Sequence, residues 1–151
     1  MSNEIHVDYS SGNILYAVIR NDAGQVWHVA GQAFESWGAS GHTADDYDIA
    51  LTDSSGSHYL GSFDGNIPGG SYSIQVFRRL GVNPADTDPL VSSRQILWTG
   101  SGELTASKIL ANRAVQDKVT GEIDYYDDDG QTILLTHTMG DTQAYLTRTP
   151  N

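Results

Sequence analysis

Cysteine is absent from this 151-residue chain, which excludes a disulfide framework and any thiolate chemistry. Basic residues are scarce: eight Lys and Arg stand against nineteen Asp and Glu, a formal net charge of −11. Nucleic acid and anionic membrane both demand clustered Lys and Arg, so neither is expected as a partner. The one basic doublet, Arg78-Arg79, reads as a solvated strand end. No apolar run approaches the roughly 20 residues of a membrane-spanning helix, and Met1-Ser2-Asn3-Glu4 lacks a signal-peptide pattern. The expectation is a chain made in a cytoplasm and indifferent to later oxidation.

Several reaction signatures are missing as well. The nearest match to a Gly-x-Ser-x-Gly nucleophile turn is Gly38-Ala39-Ser40-Gly41, one residue short. No glycine loop of the phosphate-cradling kind is present. The five histidines (His6, His28, His42, His58 and His137) form no i, i+4 pair. Zinc is therefore not expected from spacing, although ligands gathered from separate strands would leave no spacing to read. The Asp127-Asp128-Asp129 triplet invites calcium, but the EF-hand pattern would need an acid where Tyr125 stands and a Glu where Thr136 stands. A solvated turn is the plainer reading of that triplet. Pairs drawn from Asp45, Asp46, Asp48, Asp86 and Asp88 would suit glycoside hydrolysis only if the fold opposed them across a sugar. No enzyme activity, cofactor or metal is expected.

What the chain does have is turns. Asn21-Asp22-Ala23-Gly24, Asp53-Ser54-Ser55-Gly56 and Asp127-Asp128-Asp129-Gly130 each interrupt a strand-forming run. Each opens on a side-chain acceptor and closes on a residue tolerant of positive φ, the chemistry of a type I turn entering a bulged hairpin. Ile, Val, Leu and Phe make up about 22% of the residues, just above the roughly 20% below which charged chains stay disordered. Eight Tyr and three Trp supplement that modest core.

Ile14 to Ile19 is apolar on both alternating faces and reads as an interior strand; Ser71 to Phe77 alternates, with Tyr72, Ile74 and Val76 facing inward. Gln32 to Asp48 reads as loops that tuck Phe34 and Trp37 inward, and Gly81 to Ser93 as a connection before a strand at Gln95 to Trp98. Past Gly100-Ser101-Gly102, Glu103 to Val119 reads as a helix, capped by Ser101 or Thr105 and closed at Lys118 and Gly121. Leu104, Leu110, Ala111, Ala114, Val115 and Val119 fill a broad arc of that helix. Such an arc suits a helix meeting its own domain on one side and another subunit on the other, or a fully buried connector. Glu122 to Met139 then forms a hairpin, which alone is marginally stable and needs a partner surface; Ala144 to Asn151 is a short strand or tail. The expected organisation is a mainly β chain: an antiparallel β-sandwich over 1–100, a hinge and helix over 101–121, and a C-terminal hairpin arm and tail over 122–151. Trp27, Trp37 and Tyr47 could form an aromatic platform for a glycan, but core or interface packing is the more common fate of such residues.

Ile67-Pro68-Gly69-Gly70-Ser71-Tyr72-Ser73-Ile74-Gln75-Val76 resembles the strand entry of transthyretin-like and immunoglobulin-like sandwiches, which implies an inward Tyr whose hydroxyl is met by nearby backbone. Leu15 to Asn21, Gly24 to Trp27, Tyr47 to Thr52, Gly61 and Phe63, with Asn112 to Gly121 and Tyr126 to Thr132, together resemble small β-sandwich structural proteins of tailed bacteriophages and prophages. That resemblance implies a virion component of tail, baseplate, neck, fibre attachment or capsid surface. It implies partners that are other virion proteins and further copies of the chain, and no catalytic residues. The assembly contacts expected on this basis are Leu104, Leu110, Val115, Val119, Tyr125, Asp127, Asp128 and Asp129. A glycan- or receptor-binding module is the alternative.

Overall fold

The computed structural model describes residues 4–142 and 145–150; sequence readings that touch Met1 to Asn3, Ala144 and Asn151 lie outside them. Among the described residues the protein is mainly β, built from antiparallel sheets with two short α-helices. It divides into two compact units, 1–100 and 101–151. Among the described residues no helix is long and apolar enough to cross a membrane.

In the first unit, β1 (Ile5–Asp8), β6 (Thr52–Asp53) and β7 (His58–Gly61) form a three-stranded sheet in the order β1-β7-β6. The second sheet runs β4 (Ala33–Glu35), β3 (Val26–His28), β2 (Leu15–Asn21), β8 (Gly70–Arg78) and β9 (Leu90–Trp98), with β5 (Ile49–Ala50) also pairing β2. β2 is interior, as its two apolar faces require: it pairs β8 from Leu15↔Arg78 to Asn21↔Tyr72 and is buried from Leu15 to Ile19. Its odd residues Leu15, Ala17 and Ile19 join Ile5, Val7 and Tyr59 of the other sheet and Ile74, Val76, Trp27 and Trp98 in one core cluster. Its even residues Tyr16 and Val18 join Val26 and Tyr47 in a second cluster on the opposite face, covered by Trp37 and Phe77. Each such side chain taken fully from water contributes about 1.5–3 kcal/mol, so β2 is held from both sides.

Tyr72 follows the sandwich-like expectation locally: it is buried and its hydroxyl donates to the Pro68 carbonyl at 2.7 Å. β9 is longer than the sequence suggests, beginning at Leu90 rather than Gln95. It matches β8 along nearly its whole length, through a register shift at Val76/Phe77. Partner hydrogen bonds outweigh the weak strand signal of Val91-Ser92-Ser93. The stretch expected as loops holds β4, a 3-10 turn (Ala39–Gly41) and α1 (Ala44–Tyr47).

Two of the three turn signals behave as expected. Gly24, at φ 77°, donates to the Asn21 carbonyl at 2.9 Å, and the Asn21 side chain receives the Gln25 N–H. Gly130, at φ 67°, donates to the Asp127 carbonyl at 2.9 Å. The middle turn is different. Its tight step is shifted to Ser55–His58, and Ser55 and Ser57 flank Gly56 in the left-handed region at φ 75° and 65°. Such backbone costs a non-glycine residue about 1 kcal/mol or more. Asp53 offsets this by accepting the Ser55 and Gly12 N–H groups and the Ser11 hydroxyl.

The second unit is a four-stranded antiparallel sheet, β10 (Ala114–Gln116), β11 (Ile123–Tyr126), β12 (Ile133–Thr142) and β13 (Tyr145–Pro150) in sequence order, preceded by α2 (Ala106–Ala111). The expected helix over 103–119 is thus corrected to six residues. Thr105, one of the two expected caps, accepts the Lys108 N–H at 3.2 Å, but Asn112 is already extended at φ −86°, ψ 171°. Ala114-Val115-Gln116 pairs β11 instead, and Asp117 closes the turn that follows by accepting the Val119 and Thr120 N–H groups. Helix propensity in this stretch is a weak preference. Leaving the β11 edge unpaired would strand a row of backbone donors and acceptors. The hairpin consequently has a strand on each side, and the segments expected as a helix and as a separate arm share one sheet.

Candidate functional site

β3 and β4 are a short hairpin with Trp27 opposite Phe34 and Val26 opposite Glu35. Strand alternation sends Trp27 and Phe34 into the main core, rings 5.1 Å apart at their centroids. The same alternation sends His28 and Glu35 to the other face. The chain then turns through Ala39–Gly41 and returns with His42. Next, Thr43 and Asp46 cap the first turn of α1 reciprocally, and α1 places Tyr47 in the second cluster with no exposure to solvent.

His28, Glu35 and His42 meet there, with one potential ligand atom from each lying within 4.8 Å of the others. His42 Nδ1 is 2.6 Å from Glu35 Oε1, and His28 Nδ1 is 3.7 Å from Glu35 Oε2. The imidazole rings are 4.1 Å apart at their centroids. The Tyr47 hydroxyl donates to Glu35 Oε1 at 3.0 Å and accepts the Gly38 N–H. The hydrogen bond with His42, followed by that from Tyr47, holds the Glu35 carboxyl below the usual carboxylate range. Gly31 closes the group: a Cβ there would lie 2.5 Å from His28 Nδ1. Two imidazoles and a carboxylate, half-buried and convergent, are a donor set for a borderline transition-metal ion.

Beside this trio lies a cleft of about 320 Å³ lined by Tyr16, Arg20, Trp37, Gln75, Phe77 and Asp86, among others. The Arg20 guanidinium sits 4.9 Å from the Trp37 ring centre and donates to Gln75. Asp86 receives the Trp37 indole N–H and the Ala44 N–H. Asp88 is buried. Burial pushes its carboxyl up, but the Ala85 and Leu80 N–H groups and the Tyr16 hydroxyl outweigh it, and the pKa falls below the ordinary value. These acids fasten loops.

Trp27, Trp37 and Tyr47 do not form a common platform; packing, the more common fate, takes Trp27 and Tyr47. Trp27 is buried in the main core with its indole N–H on Asp64, and Tyr47 is buried on the opposite face. Trp37 alone of the three lines the cleft. It packs on Tyr47 with ring centroids 4.9 Å apart.

The expected assembly residues are spread over the second unit. Leu110 is 86% exposed on α2 and Val119 is 94% exposed in the turn after β10. Val115 is exposed on β10, Leu104 is half-buried before α2, and half-buried Tyr125 meets the His137 ring edge-on at 5.1 Å. The acidic triplet is engaged within its own unit, by α2 and by its own turn. Asp127 pairs with Lys108 at 2.7 Å, Asp128 receives the Asn112 amide, and Asp129 receives the Thr132 hydroxyl and the Gln131 and Thr132 N–H groups. These bonds, that from the Thr132 hydroxyl first, hold the Asp129 carboxyl below its usual range.

The residues that spacing did not flag are His28, Glu35 and His42. Recognising Val26–His28 and Ala33–Glu35 as one hairpin would have put His28 and Glu35 on a common face; His42 comes from a loop no pattern predicts. No protein-family model, no curated protein and no solved structure matches the chain.

Proposed function

We propose that this chain is a non-enzymatic structural protein of a tailed-phage virion, docking as a homo-oligomer through its C-terminal unit. On this reading residues 4–100 form an immunoglobulin- or transthyretin-like β-sandwich that carries no reaction. The virion part of the reading rests on the sequence resemblance; the docking part rests on the sparse apolar burial among the described side chains of the second unit. Among its described side chains Leu134 is the one buried hydrophobic, while Leu110, Val115, Val119 and Ile133 lie exposed. A small sheet gains stability from apolar surface that a neighbour covers. A neighbouring copy that covers those side chains would supply that burial. β10 stands at one end of the sheet order with all three residues exposed, and an edge strand of this kind can pair with its two-fold mate through main-chain hydrogen bonds.

The test is the mass of the full-length protein in solution and its incorporation into particles. The expected result is an oligomer that Leu110→Asp combined with Val119→Asp converts to a folded monomer excluded from the virion. An oligomer that persists in the double variant, or a wild-type monomer at every concentration, overturns the reading.

A second reading, recognition of a glycan, is favoured by one observation, the cleft in which Trp37 lies beside Arg20, Gln75 and Asp86. It predicts glycan-array binding that disappears in a folded Trp37→Ala protein; an empty array for the wild type dismisses it.

A further inference from the structure

We propose that His28, Glu35 and His42 bind one divalent transition-metal ion of the zinc class, which clips the connection over residues 36–47 to the β3-β4 hairpin. This goes beyond the assembly role, which neither requires nor implies an ion.

Donor chemistry is the first argument. Imidazole nitrogen suits zinc and its neighbours in the transition series, whereas magnesium and calcium take oxygen ligands. Two His and one Glu leave a fourth tetrahedral position for water, and side chains 15%, 22% and 27% exposed leave solvent a way in.

Geometry is the second. Metal–ligand bonds of about 2.0–2.2 Å place neighbouring donors of a tetrahedral site about 3.4 Å apart. His28 Nδ1 lies 3.7 Å from Glu35 Oε2, near that spacing, while His42 faces the other oxygen, Oε1. Binding through one oxygen therefore requires the carboxylate to rotate between the two imidazoles. The 2.6 Å between His42 Nδ1 and Glu35 Oε1 is a hydrogen bond, which the ion would replace by taking the place of the shared proton. A swing of the Glu35 carboxylate by less than about 1 Å opens that gap to the required spacing.

The surroundings are the third. Metal-bound carboxylates are themselves hydrogen-bonded, and Glu35 already has its orienting partner in Tyr47, held in turn by Gly38. Gly31 leaves His28 Nδ1 uncrowded where any side chain would press against it. In a chain without cysteine, a metal clip does for this two-turn connection what a disulfide does elsewhere. The ligands come from β3, β4 and the loop at His42, so the ion would tie together three pieces otherwise joined by a few hydrogen bonds.

The experiment is calorimetric titration of Zn²⁺ into the chelator-treated full chain, with Co²⁺ as a spectroscopic substitute. The expected result is one equivalent bound, a tetrahedral Co²⁺ spectrum, and affinity lowered about a hundredfold or more by His28→Ala, Glu35→Gln or His42→Ala. Removing the orienting hydroxyl with Tyr47→Phe should cost about tenfold, the lower end of effects from outer-shell partners. A separate imidazole pair, His6 with His58 beside Asp8, is the internal control; His6→Ala with His58→Ala should leave the affinity unchanged. Binding lost in that control and kept in His42→Ala overturns the proposal, as does no binding at all. If a ligand variant fails to fold, the imidazole ¹⁵N resonances of the wild type decide. Zn²⁺ must shift those of His28 and His42, and a spectrum in which these two stay still defeats the site.

Discussion

The two units divide the same sheet-forming chemistry very differently. The first, 1–100, buries both faces of its central strand in separate clusters. The second, 101–151, carries a four-stranded sheet on one buried hydrophobic among its described side chains. Several of its described ties are polar. Asn112 links the end of α2 to the Tyr126 carbonyl, Arg113 lies over the Tyr126 ring and donates to the Gly130 carbonyl, and Lys108 pairs with Asp127. Exposed or half-exposed polar contacts of this kind contribute about 0–1.5 kcal/mol each, against about 1.5–3 kcal/mol for a buried apolar side chain. Among the described side chains of the second unit, polar contacts therefore carry a larger share of the stabilisation than they do in the first.

The largest effect that would test this contrast lies in the first unit. Trp27→Ala removes a side chain only 2% exposed that packs against Phe34, with an expected loss of about 3–5 kcal/mol. Chemical denaturation followed by near-UV circular dichroism measures it; a loss below about 1 kcal/mol would mean that the core is not shared as tightly as described.

Asp88→Ala comes next, at about 2–3 kcal/mol, because it leaves the Ala85 and Leu80 N–H groups without their acceptor and the Tyr16 hydroxyl with only its longer contact to the Ala85 carbonyl. The same carboxyl gives a pH signature. It holds its proton less readily folded than unfolded, so its stabilising contribution is present above the unfolded-chain value of about 3.9 and disappears as pH falls through the lower folded value. In Asp88→Asn the decline of stability below about pH 4 should therefore be shallower than in the wild type. An unchanged acid limb would assign that decline to other carboxylates.

Leu134→Ala, at about 2 kcal/mol, should act on the second unit alone. Amide hydrogen exchange is the discriminating readout: protection should collapse along Ile123–Tyr126 and 133–138 while Leu15–Asn21 stays protected. Equal loss in both units would erase the distinction between them. The smallest effect expected is from Thr105→Ala, which deletes the acceptor for the Lys108 N–H and costs about 1 kcal/mol, visible as faster exchange confined to α2.

Legibility in the sequence followed the range of the interaction. Asn21-Asp22-Ala23-Gly24 and Asp127-Asp128-Asp129-Gly130 announced hairpins because a turn is decided by its own four residues. Ser71 to Phe77 announced a half-buried strand because alternation is a two-residue rule. Asp53-Ser54-Ser55-Gly56 announced the hairpin but not its turn, which sits two residues further along. Glu103 to Val119 misled because Leu104, Leu110, Ala114 and Val115 fit a helical arc, while the edge of β11 needed Ala114–Gln116 as a strand. Trp27, Trp37 and Tyr47 looked alike as aromatic residues, yet sheet alternation and the path of the 36–47 connection sent two of them to opposite interiors.

By itself, then, the sequence determined the class: an acidic, cysteine-free, antiparallel β chain with hairpin turns at set places, and an inward Tyr72. These follow from propensities, alternation and turn chemistry, all of which act within a few residues. Only the tertiary structure decided that the second unit is a four-stranded sheet in which Ala114–Gln116 is a strand, and that His28, Glu35 and His42 converge. Both depend on backbone partners and loop paths distant in sequence, and no local pattern records what a strand edge or a returning loop will find.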